Sequence, residues 1–159
     1  MCDETCGAGA PILKICRLER AGKRPALPRM QTEGAAGRDI AAFLPEGDVT
    51  IPAGGRALIP TGLTMAIPRG FGGFLLARSS WGAKYGVALA NGVGLIDSDY
   101  RGEVQVALIN HSGADFTVHD GDRVAQLVLL PVPAVTLMET ETLDETARGA
   151  GGFGSTGRR

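Results

Sequence analysis

Glycine and proline interrupt this chain so often, 24 and nine times in 159 residues, that no long helix can run through it. Proline removes a backbone donor and clashes with the preceding turn, and glycine loses more freedom than any other residue in a regular element. The segments between these breaks are short and apolar: RALIP, LTMAIP, FGGFLLA, GVALA, EVQVALIN, DFTVH and RVAQLVLLPV. In EVQVALIN, Val104, Val106 and Leu108 alternate with Gln105, Ala107 and Ile109, the two-residue period of a strand. Asn91-Gly92 and Asp120-Gly121 are turn dipeptides that tolerate positive φ. Many short strands at close spacing predict an all-β sandwich or barrel. SSWGAKY leaves room for one short helix, with Ser79 or Ser80 placed to cap its first amides.

The length suits one domain with a sizeable core. Residues 1–30 read as a polar extension with PILKICRLE as a first strand, 31–140 as the β domain, and 141–159 as a C-terminal arm. The arm passes from acidic ETETLDETA into RGAGGFGSTGRR. Five of its residues between Gly149 and Gly157 are glycine, so alone it is expected to be flexible. Sixteen basic and 17 acidic residues, net −1, argue against a general nucleic-acid surface. RLERAGKRP and the terminal GRR read as solvated. No apolar run approaches the roughly 18–20 residues of a membrane span, and the N-terminus has no apolar signal core. The expectation is a cytoplasmic protein with neither nucleic-acid nor membrane partners. Cys2, Cys6 and Cys16 are odd in number and have no partners elsewhere, which does not make a disulfide framework. A zinc site would need a fourth ligand, and His111 and His119 are distant in sequence; the thiols read as reduced and peripheral.

The densest chemistry lies in GLIDSDYRGE, residues 94–103, where two aspartates, a tyrosine, an arginine and a glutamate sit between apolar segments. Such a loop is either a solvated turn or a site, and its residues alone leave both open. Four further stretches accompany it. GAAGRDI carries Asp39 before an apolar segment, ARSSWG ends a strand with an arginine and two hydroxyls, and GDRVAQ places Gln126 at the start of another strand. RGAGGFGSTG closes the chain but lacks the Lys-Ser/Thr ending of a Walker loop.

In this order and spacing the five stretches resemble the five motifs of the trimeric dUTP diphosphatases (dUTPases), across residues 34–157. NGVGLIDSDYRGE and RGAGGFGSTG carry most of the likeness. The departures are Arg38 where an apolar or aromatic residue is usual, Ala77 where proline usually precedes the arginine, and Ser80 where glycine is frequent. Arg38 is the departure with scope to alter local packing. The cysteine-bearing extension lies outside the family pattern.

The resemblance implies a distorted jelly-roll or β-sandwich, dUTPase-like, with one short helix and a flexible arm. It implies a homotrimer whose active sites are shared between subunits. The implied reaction is hydrolysis of dUTP to dUMP and pyrophosphate, which keeps uracil out of DNA and supplies dUMP for dTMP synthesis. Asp97 then orients and deprotonates the attacking water, while Asp99 hydrogen-bonds within its loop. Tyr100 lies against the deoxyribose and leaves no room for a 2′-hydroxyl. Asn91 and the NGVGLI hairpin, with Leu95 and Ile96 acting mainly through main chain and Gln105 close by, read the uracil edge. Arg78, Ser79, Ser80 and Gln126 face the phosphates. Arg148, Gly154, Ser155 and Thr156 close on the nucleotide from the arm, with Phe153 stacked on uracil. Mg²⁺ is held mostly by phosphate oxygens, with Asp39 in its outer shell through water.

The dCTP deaminases are the rival with the same fold. They place a catalytic glutamate ten residues beyond the loop aspartate, where this chain has Ala107, and an arginine after the serines, where it has Ala83-Lys84. Alanine cannot move protons, so deamination is disfavoured. A non-catalytic β-sandwich that merely binds nucleotide is the other reading, and the full set of functional side chains speaks against it.

Overall fold

The structure is a computed structural model that describes residues 10–152. Cys2, Cys6, Phe153, Gly154, Ser155 and Thr156 lie outside the described residues. Among those described, ten strands and one helix follow in order. They are β1 (Lys14–Arg17), β2 (Arg38–Ala41), β3 (Val49–Ile51), β4 (Arg56–Ala66), β5 (Phe71–Leu76), α1 (Ser79–Tyr85), β6 (Val87–Leu89), β7 (Gly94–Ile96), β8 (Glu103–Asn110), β9 (Phe116–Val118) and β10 (Arg123–Pro131). Two four-stranded sheets, β1-β4-β8-β6 and β2-β10-β5-β7, are accompanied by a two-stranded ribbon, β3-β9. Every pairing is antiparallel. The chain is therefore an all-β sandwich with one short helix, and no helix among the described residues is long and apolar enough to cross a membrane.

Alternation builds the core. On β8, Val104, Val106 and Leu108 are buried while Gln105 points outward. Ile59, Leu63 and Met65 of β4 meet them in one cluster with Ile40, Leu75 and Leu127 of the second sheet. Each such side chain contributes roughly 1.5–3 kcal/mol on burial. Buried Asn110 satisfies its own polar atoms: Nδ2 donates to the carbonyls of Ile51 and Ala114, and Oδ1 accepts from the Ser112 amide and hydroxyl.

RALIP and LTMAIP, separate in the sequence reading, form the single strand β4, which runs through Pro60. The proline carbonyl is occupied from outside the sheet, accepting from the Phe43 amide at 2.8 Å. A bulge follows, because β4 advances from Pro60 to Thr64 while β8 moves only from Gln105 to Glu103. Gly62 occupies this bulge at φ +66°, where a Cβ would lie 2.4 Å from the Phe43 ring. Strand β3 was not apparent in the sequence, since three residues before Pro52 are too few to show a period.

Two local expectations need correction. Asn91-Gly92 turns the chain, with Gly92 at φ +71°, but it closes no hairpin: β6 pairs with β8, whereas β7 pairs with β5. The turn crosses between sheets because β7 docks tightly on β5; a Cβ on Gly94 would come within 3.0 Å of Leu75. The serine cap of α1 is also absent. Arg78 is the N-cap and offers no side-chain bond, because the helix starts one residue earlier than a serine cap requires and Ser79 already lies inside it.

His119, just after β9, pairs through Nδ1 with Asp48 Oδ2 at 2.6 Å, and its amide donates to Asp122 Oδ2. The hydrogen bond and charge of Asp48 raise the imidazole above its ordinary 6.5. A raised folded value means stabilisation that is complete below 6.5 and is lost as pH climbs through the raised value. His119→Gln is therefore expected to lower the melting temperature more at about pH 6 than at about pH 9. Scanning calorimetry of both proteins at the two pH values checks this. Both groups are well exposed, so added salt should shrink the difference.

Candidate active site

Strands β6 and β7 end their respective sheets, and the Asn91-Gly92 turn sets these two edges side by side. An edge strand presents unpaired N–H and C=O groups. Between the edges lies a cavity of about 230 Å³ whose lining includes Asn91, Leu95, Ile96, Asp97, Tyr100 and Gln105. Ile96 is buried, while Leu95 is 61% exposed at the mouth. The structure thus gathers into one hollow the residues that the sequence associates with a base, a sugar and an activated water.

The loop from Asp97 to Gly102 carries the chain from β7 back to β8. Its turn closes with the Tyr100 amide donating to the Asp97 carbonyl at 3.2 Å. Arg101 Nη1 donates to the carbonyls of Ser98 and Tyr100, and Tyr100 Oη donates to the Glu103 carbonyl at 3.0 Å. Asp99, expected to bond within the loop, has no such side-chain bond among the described residues: a carboxylate needs donors, and the Tyr100 amide and hydroxyl and the Arg101 guanidinium go to main-chain carbonyls instead. With the loop held by others, Asp97 stands exposed at the cavity, a carboxylate free to accept from water.

A second depression, about 180 Å³, brings together Asp39, Arg78, Ser79, Ser80, Arg123 and Gln126. Asp39 is buried and forms its hub. Oδ2 accepts from Arg123 Nη1 at 2.9 Å, and Oδ1 accepts from Gln126 Nε2 at 3.1 Å. Arg78 Nη1 in turn donates to the Arg123 carbonyl. Cationic and hydroxyl donors around one hollow suit a polyanion. The two hollows share no lining residue.

Comparison with known sequences decides what class of site this is. A sequence model of the dUTPase family matches residues 23–157. A curated deoxyuridine 5'-triphosphate nucleotidohydrolase of Desulfitobacterium hafniense is 54% identical over 139 residues, covering 87% of this chain and 91% of that protein.

The chain belongs to the dUTPase family.

A second relative with that enzyme name, from Methylocella silvestris, is 49% identical over 90% of this chain and 89% of its own. Solved dUTPases share the fold. A mutant of the Staphylococcus bacteriophage 80alpha enzyme with dUpNHpp superposes with TM-score 0.81 at 23% identity, over 92% of this chain and 98% of that one. A phage phi11 dUTPase mutant, described as coordinating a structural Mg(II) ion, gives TM-score 0.72 at 22% identity, over 82% and 97%.

Arg148 joins neither hollow. It is exposed, and its Nε donates to the Gly151 carbonyl within the arm. Of the departures from the dUTPase pattern, Arg38 is exposed on β2 and leaves the core intact. Sequence reading missed three residues. Arg123 lay inside GDRVAQ, and Glu103 inside GLIDSDYRGE; both stretches were noticed for other members. Arg20 carried no signal, since its partner Glu103 is 83 residues away.

Proposed function

We propose that this chain hydrolyses dUTP to dUMP and pyrophosphate, with Asp97 as the general base. The observation that carries the reading is the convergence of Asn91, from one turn, with Asp97 and Tyr100, from another, on one hollow between two strand edges. Asp97 holds and deprotonates a water aligned with the α-phosphorus; a carboxylate accepts hydrogen bonds while keeping its charge, and alignment offsets its weak basicity. Tyr100 faces the deoxyribose and Asn91 the uracil edge, with the main-chain groups of β7 completing the base contacts. A 5-methyl group has no space against so close a backbone, and cytosine offers a donor where an acceptor is required.

Arg78, Ser79, Ser80 and Gln126 bind the phosphates from the second hollow. Because the hollows are separate on one chain, a complete site is assembled between the subunits of a homotrimer, the first hollow of one facing the second of another. The segment after β10 is consistent with crossing to a neighbour: Val135, Leu137, Met138 and Leu143 are 77–92% exposed, an unfavourable arrangement for an isolated chain.

Asp39 fits an outer-shell role toward Mg²⁺. Its carboxylate has about four lone-pair sites, and the donors Arg123 and Gln126 take two of them, leaving each oxygen able to accept from a water. Bound with the triphosphate, Mg²⁺ would supply charge neutralisation on the phosphate oxygens. Gln126 and Arg78 are held in place by the same Asp39–Arg123 arrangement.

Pyrophosphate release from dUTP, measured beside release from dTTP, dCTP and UTP, tests the proposal. Pyrophosphate from dUTP alone is expected, without ammonia from dCTP. Ammonia release, or equal turnover of the four nucleotides, would overturn it.

A further inference from the structure

Glu103 follows the loop as the first residue of β8, and both its ends are engaged. Its carboxylate accepts from both terminal nitrogens of Arg20, and Oε1 also accepts from the Gly62 amide at 2.7 Å. Its carbonyl receives the Tyr100 hydroxyl. Tyr100 reaches that carbonyl only by lying across Gly102, where a Cβ would fall 2.4 Å from Oη. The tyrosine ring is thus fixed to a point of backbone whose own side chain is anchored elsewhere.

That anchor is itself braced. Arg20 sits in a tight turn, exchanging backbone bonds with Lys23, and the Leu18 amide donates to the Gly62 carbonyl. The guanidinium lies 6.0 Å from the centre of the Phe43 ring, the ring that keeps position 62 free of a side chain. Ion pairs at a surface add little to stability, and Arg20 remains partly exposed. The fork matters for its geometry: bidentate pairing with a carboxylate fixes position and direction together.

We infer that Arg20 and Glu103 are positioning residues that set discrimination against ribonucleotides, by fixing how far the Tyr100 ring projects into the hollow. The inference rests on the proposed placement of Tyr100 against the sugar. A screen that works by clash loses selectivity when its ring can retreat, even though the ring itself is unchanged.

The test compares kcat/KM for dUTP and UTP, together with inhibition by dUMP and UMP, in the wild type, Arg20→Met, Arg20→Lys, Glu103→Gln and Tyr100→Ala. Arg20→Met keeps an apolar stem beside Phe43, and Glu103→Gln keeps an acceptor for the Gly62 amide. Each is expected to reduce the dUTP/UTP ratio about tenfold, the scale of a lost steric discrimination. The dUMP/UMP ratio should follow, and Arg20→Lys should fall between. If Tyr100→Ala collapses the ratio while Arg20→Met and Glu103→Gln leave it intact, or slow both substrates equally, the inference is overturned and the role of Tyr100 stands. If Tyr100→Ala also leaves the ratio intact, the placement of Tyr100 fails and takes the inference with it.

Discussion

Asp97→Asn is expected to lower kcat for dUTP by about 10²–10⁴-fold, the usual contribution of a positioned base, while leaving nucleotide affinity within a few-fold. Asparagine has nearly the same shape and can still accept a hydrogen bond, but it cannot take a proton at neutral pH. Nothing in the fold depends on the charge. Asp97 is exposed, and the loop is closed by the Tyr100 amide, the Arg101 guanidinium and the Tyr100 hydroxyl. A loss of kcat with unchanged melting temperature and unchanged dUMP binding therefore isolates the chemistry. Single-turnover kinetics with titration calorimetry checks it, and a variant turning over at the wild-type rate removes Asp97 from the role.

The readable parts of the molecule were those governed by local rules. Alternation in EVQVALIN placed Val104, Val106 and Leu108 inward, as β8 has them. The spacing of glycine and proline ruled out long helices, and the one helix is a short segment at SSWGAKY. Illegible were the features set by partners distant in sequence. Asn91-Gly92 reads as a hairpin because a turn dipeptide says nothing about which strand its neighbours will join; Gly94 against Leu75 decides that. Pro60 looked like a boundary because a strand can absorb a proline when a bulge follows, and the bulge depends on Gly62, Phe43 and Glu103. The same limit hid Arg20, whose meaning arises only when folding brings residue 103 to it. The division of candidate residues into two hollows was equally invisible: five motifs in order along a chain do not say which of them face one another on a single subunit.

Removing the arm from Arg148 onward is expected to reduce kcat/KM for dUTP by roughly 10²–10⁴-fold. The estimate joins a charged hydrogen bond from Arg148 to a phosphate, about 1.5–3 kcal/mol, with stacking of Phe153 on the base, about 1–3 kcal/mol, at about tenfold for each 1.4 kcal/mol. The body should not notice the loss: among the described residues the hydrogen bonds of Thr146, Arg148, Gly149 and Gly151 run within that group, and both four-stranded sheets are complete by Pro131. Melting temperature and oligomer size by gel filtration are accordingly expected to match the full chain. The glycines add a second signature. Ordering so many of them opposes closure, so closure has to be driven by contacts that a triphosphate supplies and a monophosphate lacks. Truncation should then weaken binding of a non-hydrolysable dUTP analogue much more than binding of dUMP. Equal weakening of the two would place the arm's contribution on the base instead of the phosphates, and full activity in the truncated chain would remove the arm from the reaction.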